Sequence, residues 1–130
     1  MSDPHPYFDD RGALPWHHRF ADAVAEAAAS GRRLFVLSSS RDCGGSRALV
    51  EKTIPKDEIA DYIRQHFVAL AVEPGALEPE LAGLVSALPR RTATPLCLYL
   101  ALPPRLVYST VGGRPAAVFL QDLVEATARK

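Results

Sequence analysis

Two spacings of hydrophobic residues along the chain predict most of its elements. Apolar runs at residues 34–37 and 67–72 are continuous, as expected for strands that are covered on both faces. Segments with apolar residues three or four apart predict amphipathic helices between the strands. Predicted helices cover residues 15–30, 56–66, 77–88 and 115–129, a further helix starts after Cys43 and is interrupted at residues 53–55, a loop covers residues 90–95, and predicted strands cover residues 34–37, 67–72, 95–100 and 106–111.

The order of these elements predicts how the strands pair. Two buried strands separated by helical sequence imply a parallel pair joined by crossover helices. The last two predicted strands are linked only by a turn at Pro103-Pro104, which favours an antiparallel hairpin. The pattern therefore predicts an α/β fold.

The ends of the pattern set the expected domain organisation. Residues 1–12 lack periodicity and are expected to form a flexible N-terminal arm in which His5 is exposed. Residues 13–130 are expected to form a single domain. The first helix, starting at Pro15, is expected to bury Trp16 and Phe20.

Composition narrows the classes of function. The chain has 130 residues, of which 48% are hydrophobic, enough for one compact core. Fifteen basic and fifteen acidic residues give no net charge, so we expect neither nucleic acid nor a membrane as partner. No run approaches the length of a membrane span and the first residues do not resemble a signal peptide, which favours a cytoplasmic protein. Composition leaves the oligomeric state open.

The two cysteines do not predict a structural disulfide or a metal site. Cys43 and Cys97 are too few for a disulfide framework and too far apart for a local metal knuckle. The four histidines add no ligand spacing, so no metal and no resident cofactor are expected. A reducing compartment suits such a chain.

Cys43 stands where an apolar strand passes through a loop of small residues into a helix. Unpaired N–H groups and the helix dipole at such a position can lower a thiol pKa from about 8.5 to about 3.5–7.5. Gly44 and Gly45 would let another backbone approach the sulfur, and the Ser46 hydroxyl could face the sulfur or a free N–H group. The alternative is an ordinary buried cysteine in a tight loop.

The order of elements resembles the thioredoxin fold, and in particular diverged bacterial thioredoxin-like domains. The matching features are Trp16, the alanine-rich residues 21–29, the strand at 34–37, Cys43, Phe67-Val68 and Thr94-Pro95. This resemblance implies a three-layer α/β/α sandwich with a central mixed sheet of about four strands. It covers about residues 14–129.

The resemblance also implies site residues. The family's active loop is Cys-x-x-Cys, whereas this chain has Cys43-Gly44-Gly45-Ser46, which keeps the first thiol and replaces the second by serine. The catalytic residues implied are Cys43 and Ser46, and the binding residues implied are Gly44, Gly45, Thr94 and Pro95, with Pro95 at the family's cis-proline.

Two further departures weaken the case for an ordinary dithiol reductase. Asp42 stands where the family usually has an aromatic residue, and Leu37 stands at the family's buried acid. Arg41 and Arg47 would favour a thiolate at Cys43 while Asp42 would oppose it, so charge alone does not decide its reactivity.

Three hypotheses follow, and enzyme activity is left open. In the first, Cys43 forms mixed disulfides with protein thiols or glutathione, and an external thiol or Cys97 releases them, although a core position suits Cys97 better. In the second, the chain is a non-catalytic binding module. In the third, oxidation of Cys43 to an adduct or intermolecular disulfide makes it a redox sensor.

Overall fold

The computed structural model of the protein describes residues 3–88 and 93–130. Its helices are α1 (Phe20–Ser30), α2 (Gly44–Ala48), α3 (Asp57–His66), α4 (Pro79–Leu84) and α5 (Ala116–Ala128), with a π-helical turn at Leu49–Thr53 after α2. Its strands are β1 (Trp16–His17), β2 (Arg33–Ser38), β3 (Phe67–Val72), β4 (Leu96–Ala101) and β5 (Arg105–Val111).

The strands form one mixed sheet in the order β1-β3-β2-β4-β5. β3 runs parallel to both β1 and β2, while β4 is antiparallel to β2 and to β5. The parallel pair and the terminal hairpin are thus confirmed. The sheet has five strands rather than about four, because the short β1 adds an edge strand beside β3.

Both faces of the sheet are covered, which gives the predicted three layers. Alternate residues of each strand face opposite sides. One face packs with α3, α5 and the π-helical turn, and the other packs with α1 and α4. The central strands β2, β3 and β4 are therefore almost wholly buried. The loop that contains Cys43 directly follows β2.

The prediction that Trp16 lies in the first helix is wrong. Trp16 belongs to β1 and pairs with Ala69 of β3. The helix α1 begins at Phe20, whose N–H donates to the Glu78 carboxylate. Trp16 is nevertheless buried, and its indole N–H donates to the Asp10 carboxylate at 2.8 Å. Apolar spacing could not distinguish a helix start from a short strand ahead of it.

The expected exposure of His5 is also wrong, since only 5% of the residue is accessible. Its Nδ1 atom accepts hydrogen bonds from the N–H groups of Tyr7 and Phe8, both at 3.2 Å, which turns the chain back onto the domain. Phe8 is buried with it. The flexibility of residues 1–12 stays a prediction, and residues 1 and 2 lie outside the described part of the chain.

Two predicted segments differ in extent. α4 covers only Pro79–Leu84 of the predicted 77–88, with Pro79 in its first turn as expected. The predicted loop at 90–95 lies within the described residues only from Ala93 onward. In the ranges 3–88 and 93–130, no helix is long and apolar enough to cross a membrane.

Candidate thiol site at Cys43

Backbone hydrogen bonds place Cys43 at the start of a helix. The loop after β2 is tied to the end of β3 by the Ser39 N–H, which donates to the Val72 carbonyl at 3.1 Å. A turn follows, in which the Cys43 N–H donates to the Ser40 carbonyl at 3.1 Å. Cys43 itself has extended backbone angles and is the N-cap of α2. Its side chain therefore faces the free N–H groups of the first helical turn.

The Cys43 sulfur has one donor and one acceptor as close neighbours. The backbone N–H of Ser46 donates to Sγ at 3.4 Å, and the thiol donates to the Thr94 carbonyl at 3.3 Å. The first contact favours the thiolate, whereas the second requires the protonated thiol. The residue as a whole is half-buried.

The balance of these contacts favours ionisation of Cys43. Burial acts to raise the pKa of the thiol, but the side chains of Ser46 and Thr94 and the backbone N–H groups of Ser46 and Gly45 outweigh it. The pKa therefore lies below its ordinary value. The Ser46 Oγ atom is buried without a hydrogen bond of normal geometry to any described atom. We therefore assign the main stabilisation to the Ser46 N–H, for which the geometry is good.

Pro95 closes one side of the site. The Thr94–Pro95 peptide bond is cis. A Cβ atom placed on Gly45 would lie 3.2 Å from Pro95 Cδ and 3.8 Å from the Cys43 sulfur. Only a residue without a side chain fits here without displacing a neighbour.

The structure brings most of the sequence-predicted residues together. Cys43, Ser46, Gly45, Thr94 and Pro95 lie around one sulfur atom. Gly44 adjoins Cys43, and a Cβ placed on it would meet no atom within 4 Å outside its two chain neighbours. Its position leaves the outer side of the loop open.

Cys97 lies in the core. It belongs to β4, opposite Leu37 of β2, and none of its surface is accessible. Burial raises the pKa of its thiol to about 12. The residue is therefore protonated and shielded at neutral pH, as a core position implies.

The two arginines beside Cys43 are bound by the N-terminal segment. The Arg41 guanidinium lies 4.8 Å from the centroid of the Tyr7 ring. The Arg47 guanidinium lies 5.8 Å from the Phe8 ring and pairs with Glu51 at 3.5 Å. Local hydrogen bonds, rather than these charges, lower the pKa of the Cys43 thiol.

Metal ligands are not clustered around this site. Within residues 3–88 and 93–130, no three histidine, cysteine or acidic side chains lie close enough to hold a metal ion.

Residues 15–101 match the family described as Thioredoxin-like. The chain belongs to this family. The match includes β1 to β4, the Cys43 loop and Pro95. No curated protein matches the chain.

Solved structures with the same fold include proteins from three bacteria. A thioredoxin from Thermus thermophilus is 24% identical, with a TM-score of 0.73 and coverage of 89% of this chain and 88% of that one. A putative disulphide-isomerase from Bacteroides thetaiotaomicron is 21% identical, with a TM-score of 0.71 and coverage of 100% and 98%. A disulphide isomerase from Xylella fastidiosa is 20% identical, with a TM-score of 0.61 and coverage of 88% and 95%. At these identities the likeness establishes the fold.

Two groups near the site were not identified from the sequence. The first is the N-terminal segment, whose aromatic rings contact Arg41 and Arg47, and no periodicity indicated that it packs there. The second is Asp122 of α5, which pairs with Arg114. The sequence did contain a sign of a buried charge at this position. Asp122 is a carboxylate on the apolar face of a predicted helix, beside Phe119 and Leu123.

Proposed function

We propose that this protein exchanges thiols and disulfides through Cys43 alone. One observation carries the proposal: the sulfur of a half-buried cysteine at a helix start has N–H donors that favour its thiolate. The thiolate is the form that attacks a disulfide. Membership of the thioredoxin-like family, and the likeness in fold to proteins described as disulphide isomerases, support the same chemistry.

The reaction consists of two exchanges. The Cys43 thiolate attacks one sulfur of a disulfide R–S–S–R′, the S–S bond breaks, and R′–S⁻ leaves with the electron pair. Cys43 then carries a mixed disulfide with R. A second thiolate, R″–S⁻, attacks the sulfur of R, which restores the Cys43 thiolate and forms R–S–S–R″.

The second thiol comes from another molecule. Ser46 occupies the position of a resolving cysteine, and a hydroxyl does not displace a thiolate from sulfur at neutral pH. Cys97 is buried and its thiol has a pKa of about 12, so it supplies almost no thiolate. Glutathione or a protein thiol serves as the releasing co-substrate, and protein disulfides or glutathione disulfide as the partner.

Trapping of the mixed disulfide tests this function. Purified wild-type protein, Cys43→Ser and Cys97→Ser would be incubated with glutathione disulfide or with insulin, a polypeptide disulfide, and analysed by intact mass under non-reducing conditions. We expect adducts on wild type and Cys97→Ser that disappear when reduced glutathione is added. Equal amounts of adduct on Cys43→Ser would refute the proposal.

A non-catalytic binding module is the second candidate. It is favoured by the apolar, buried Leu37 at the position of the family's acid and by Ser46 at the position of the second thiol. In that case a partner would be recovered equally by wild type and by Cys43→Ser. Loss of the partner with the Cys43 sulfur would favour the exchange reaction instead.

A further inference from the structure

The connection between β5 and α5, residues 112–115, forms one wall of the Cys43 site. The Gly112 N–H donates to the Pro95 carbonyl at 2.8 Å. The Cα atom of Gly113 lies 3.9 Å from the position of a Cβ on Gly45, which is itself 3.8 Å from the Cys43 sulfur. This connection therefore contacts both Pro95 and the cysteine loop.

The wall cannot hold its shape through side chains of its own. Gly112 has a φ of +93°, a conformation that costs little only for glycine, and Gly113 follows directly. A Cβ placed on either residue would meet no atom within 4 Å. Two consecutive glycines in open surroundings leave the backbone with more freedom than any other pair. The position of this wall therefore depends on the hydrogen bond from Gly112 to Pro95 and on the residues that follow.

Arg114 and Asp122 supply that restraint. The Arg114 Nε–H donates to Asp122 Oδ2 at 2.8 Å, and Nη2–H donates to Oδ1 at 3.0 Å. Only 4% of Asp122 is accessible, and the Tyr108 hydroxyl donates to the same carboxylate at 3.4 Å. A two-bond pair of this kind fixes the orientation of the guanidinium as well as its distance. Since Asp122 lies on α5, the pair ties the wall to the core.

Stability alone does not account for such a pair. Moving two opposite charges out of water costs desolvation energy, and apolar residues of similar size often stabilise a core as well. A two-bond pair on a buried carboxylate does, however, specify a single geometry, even with 29% of the Arg114 side chain accessible. Here the pair fixes the position of Arg114, the residue that directly follows Gly113.

We propose that Arg114 and Asp122 form a positioning pair that holds the β5–α5 connection against Pro95 and Gly45, where a polypeptide bearing the disulfide docks beside Cys43. This inference rests on the proposed exchange function. Neither residue contacts the sulfur, so the pair acts on the docking of the polypeptide and not on the thiol. A small uncharged disulfide, which needs only the sulfur, does not depend on the pair.

The test compares two disulfides on the same variants. Arg114→Lys keeps the charge but loses the two-bond geometry, and Asp122→Asn removes the charge from the partner. Arg64→Lys is a matched control, because Arg64 pairs with Asp61 of its own helix, α3, on the surface. Rates of mixed-disulfide formation would be measured with insulin and with dithiodipyridine, together with the pH midpoint of Cys43 alkylation.

We expect Arg114→Lys and Asp122→Asn to slow the reaction with insulin about tenfold, because loss of orientation is costly in a reaction between two positioned groups. The reaction with dithiodipyridine and the alkylation midpoint should match wild type and Arg64→Lys. Amide hydrogen exchange of Gly112 should become faster in both variants, which reports the wall directly.

Equal slowing with both disulfides, no slowing with either, or unchanged exchange of the Gly112 N–H would overturn the inference while leaving the exchange function intact. If wild type reacts with neither disulfide, the proposed function fails and this inference fails with it. Arg114→Lys keeps a positive charge beside Asp122, so the buried carboxylate is not left unpaired and the fold is preserved. Slower reaction of this variant with insulin therefore reports the lost geometry and not unfolding.

Discussion

The Cys43 sulfur and the Thr94 carbonyl oxygen lie 3.3 Å apart although 51 residues separate them in the chain. The site is therefore assembled by packing of the Pro95 loop onto the cysteine loop. Any substitution that moves one loop against the other should alter the chemistry of the thiol.

Gly45→Ala should impair the site, whereas Gly44→Ala should not. The added methyl group at position 45 would lie 3.2 Å from Pro95 Cδ, while at position 44 it would meet nothing within 4 Å. We expect Gly45→Ala to destabilise the fold by about 1 kcal/mol through overpacking and to slow mixed-disulfide formation. Gly44→Ala should be neutral or stabilising by about 0.5 kcal/mol, since alanine favours a helix. Urea unfolding and exchange rates for both variants decide this, and equal behaviour would contradict the crowding argument.

Alkylation of Cys43 should titrate below the ordinary range of a thiol. Burial acts against ionisation, but the surrounding hydrogen-bond donors lower the pKa of Cys43, and the thiolate is the form that reacts. The rate with iodoacetamide would be followed against pH in the Cys97→Ser variant. The matched reference is Cys97 of Cys43→Ser in urea, where the thiol is exposed. A Cys43 midpoint at or above this reference would contradict the prediction.

Ser46→Ala should separate reactivity from stability. The Ser46 side chain makes no hydrogen bond of normal geometry to a described residue, but its polar group beside the sulfur helps to lower the pKa of Cys43, so its loss should raise the alkylation midpoint. Its Oγ atom is buried with no normal partner among the described residues, and such a group costs about 1–3 kcal/mol. The free energy of unfolding should therefore stay constant or increase. A clear loss of stability in urea unfolding would indicate a hydrogen bond that the structure does not contain.

Cys97 should react only when the protein unfolds. It is fully buried in a central strand, and burial raises the pKa of its thiol to about 12. With a folding free energy of at least about 5 kcal/mol, its labelling should be at least about a thousandfold slower than that of an exposed thiol. Labelling of Cys43→Ser in increasing urea measures this. Rapid labelling of Cys97 in the native protein would restore it as a candidate resolving thiol.

Acid should weaken the N-terminal segment through His5. Burial lowers its pKa from 6.5 to about 4, with Asp10 opposing the shift and His18 adding to it. The neutral ring is thus favoured in the fold, so its contribution is complete above about pH 6.5 and is lost as the pH falls toward 4. The loss amounts to at most about 3 kcal/mol.

The control for this pH effect is His5→Asn. Its amide oxygen can accept the Tyr7 and Phe8 N–H groups as Nδ1 does, but it does not titrate over this range. Urea unfolding of both proteins at pH 7 and pH 4.5 should show a larger decrease for wild type. The same decrease in both proteins would assign the effect to other groups.

Sequence patterns predicted the sheet and the place of Cys43 at a helix start, because both depend on local signals. Buried strands are continuous apolar runs, and Cys43 is followed by two glycines and a serine at a strand-to-helix junction. The approach of Pro95 to the same loop came from the family resemblance and not from any local pattern.

The features that the sequence did not predict depend on contacts between distant segments. His5 is buried because its ring accepts two backbone hydrogen bonds, and a short aperiodic segment gives no sign of this. Trp16 pairs with a strand more than fifty residues away, at Ala69, although its spacing also fitted a helix. The Arg114–Asp122 pair likewise joins two segments whose approach is set by the hairpin and α5.

Trp16 is the only tryptophan of the chain, and its indole N–H is bound to Asp10 while the His5 ring lies 5.0 Å away. Both neighbours belong to the segment that precedes the sheet. A change in the packing of that segment will alter the polarity around a single fluorophore, and a protonated imidazole at that distance will quench it. Intrinsic fluorescence of the unlabelled protein thus reports whether its first residues are docked.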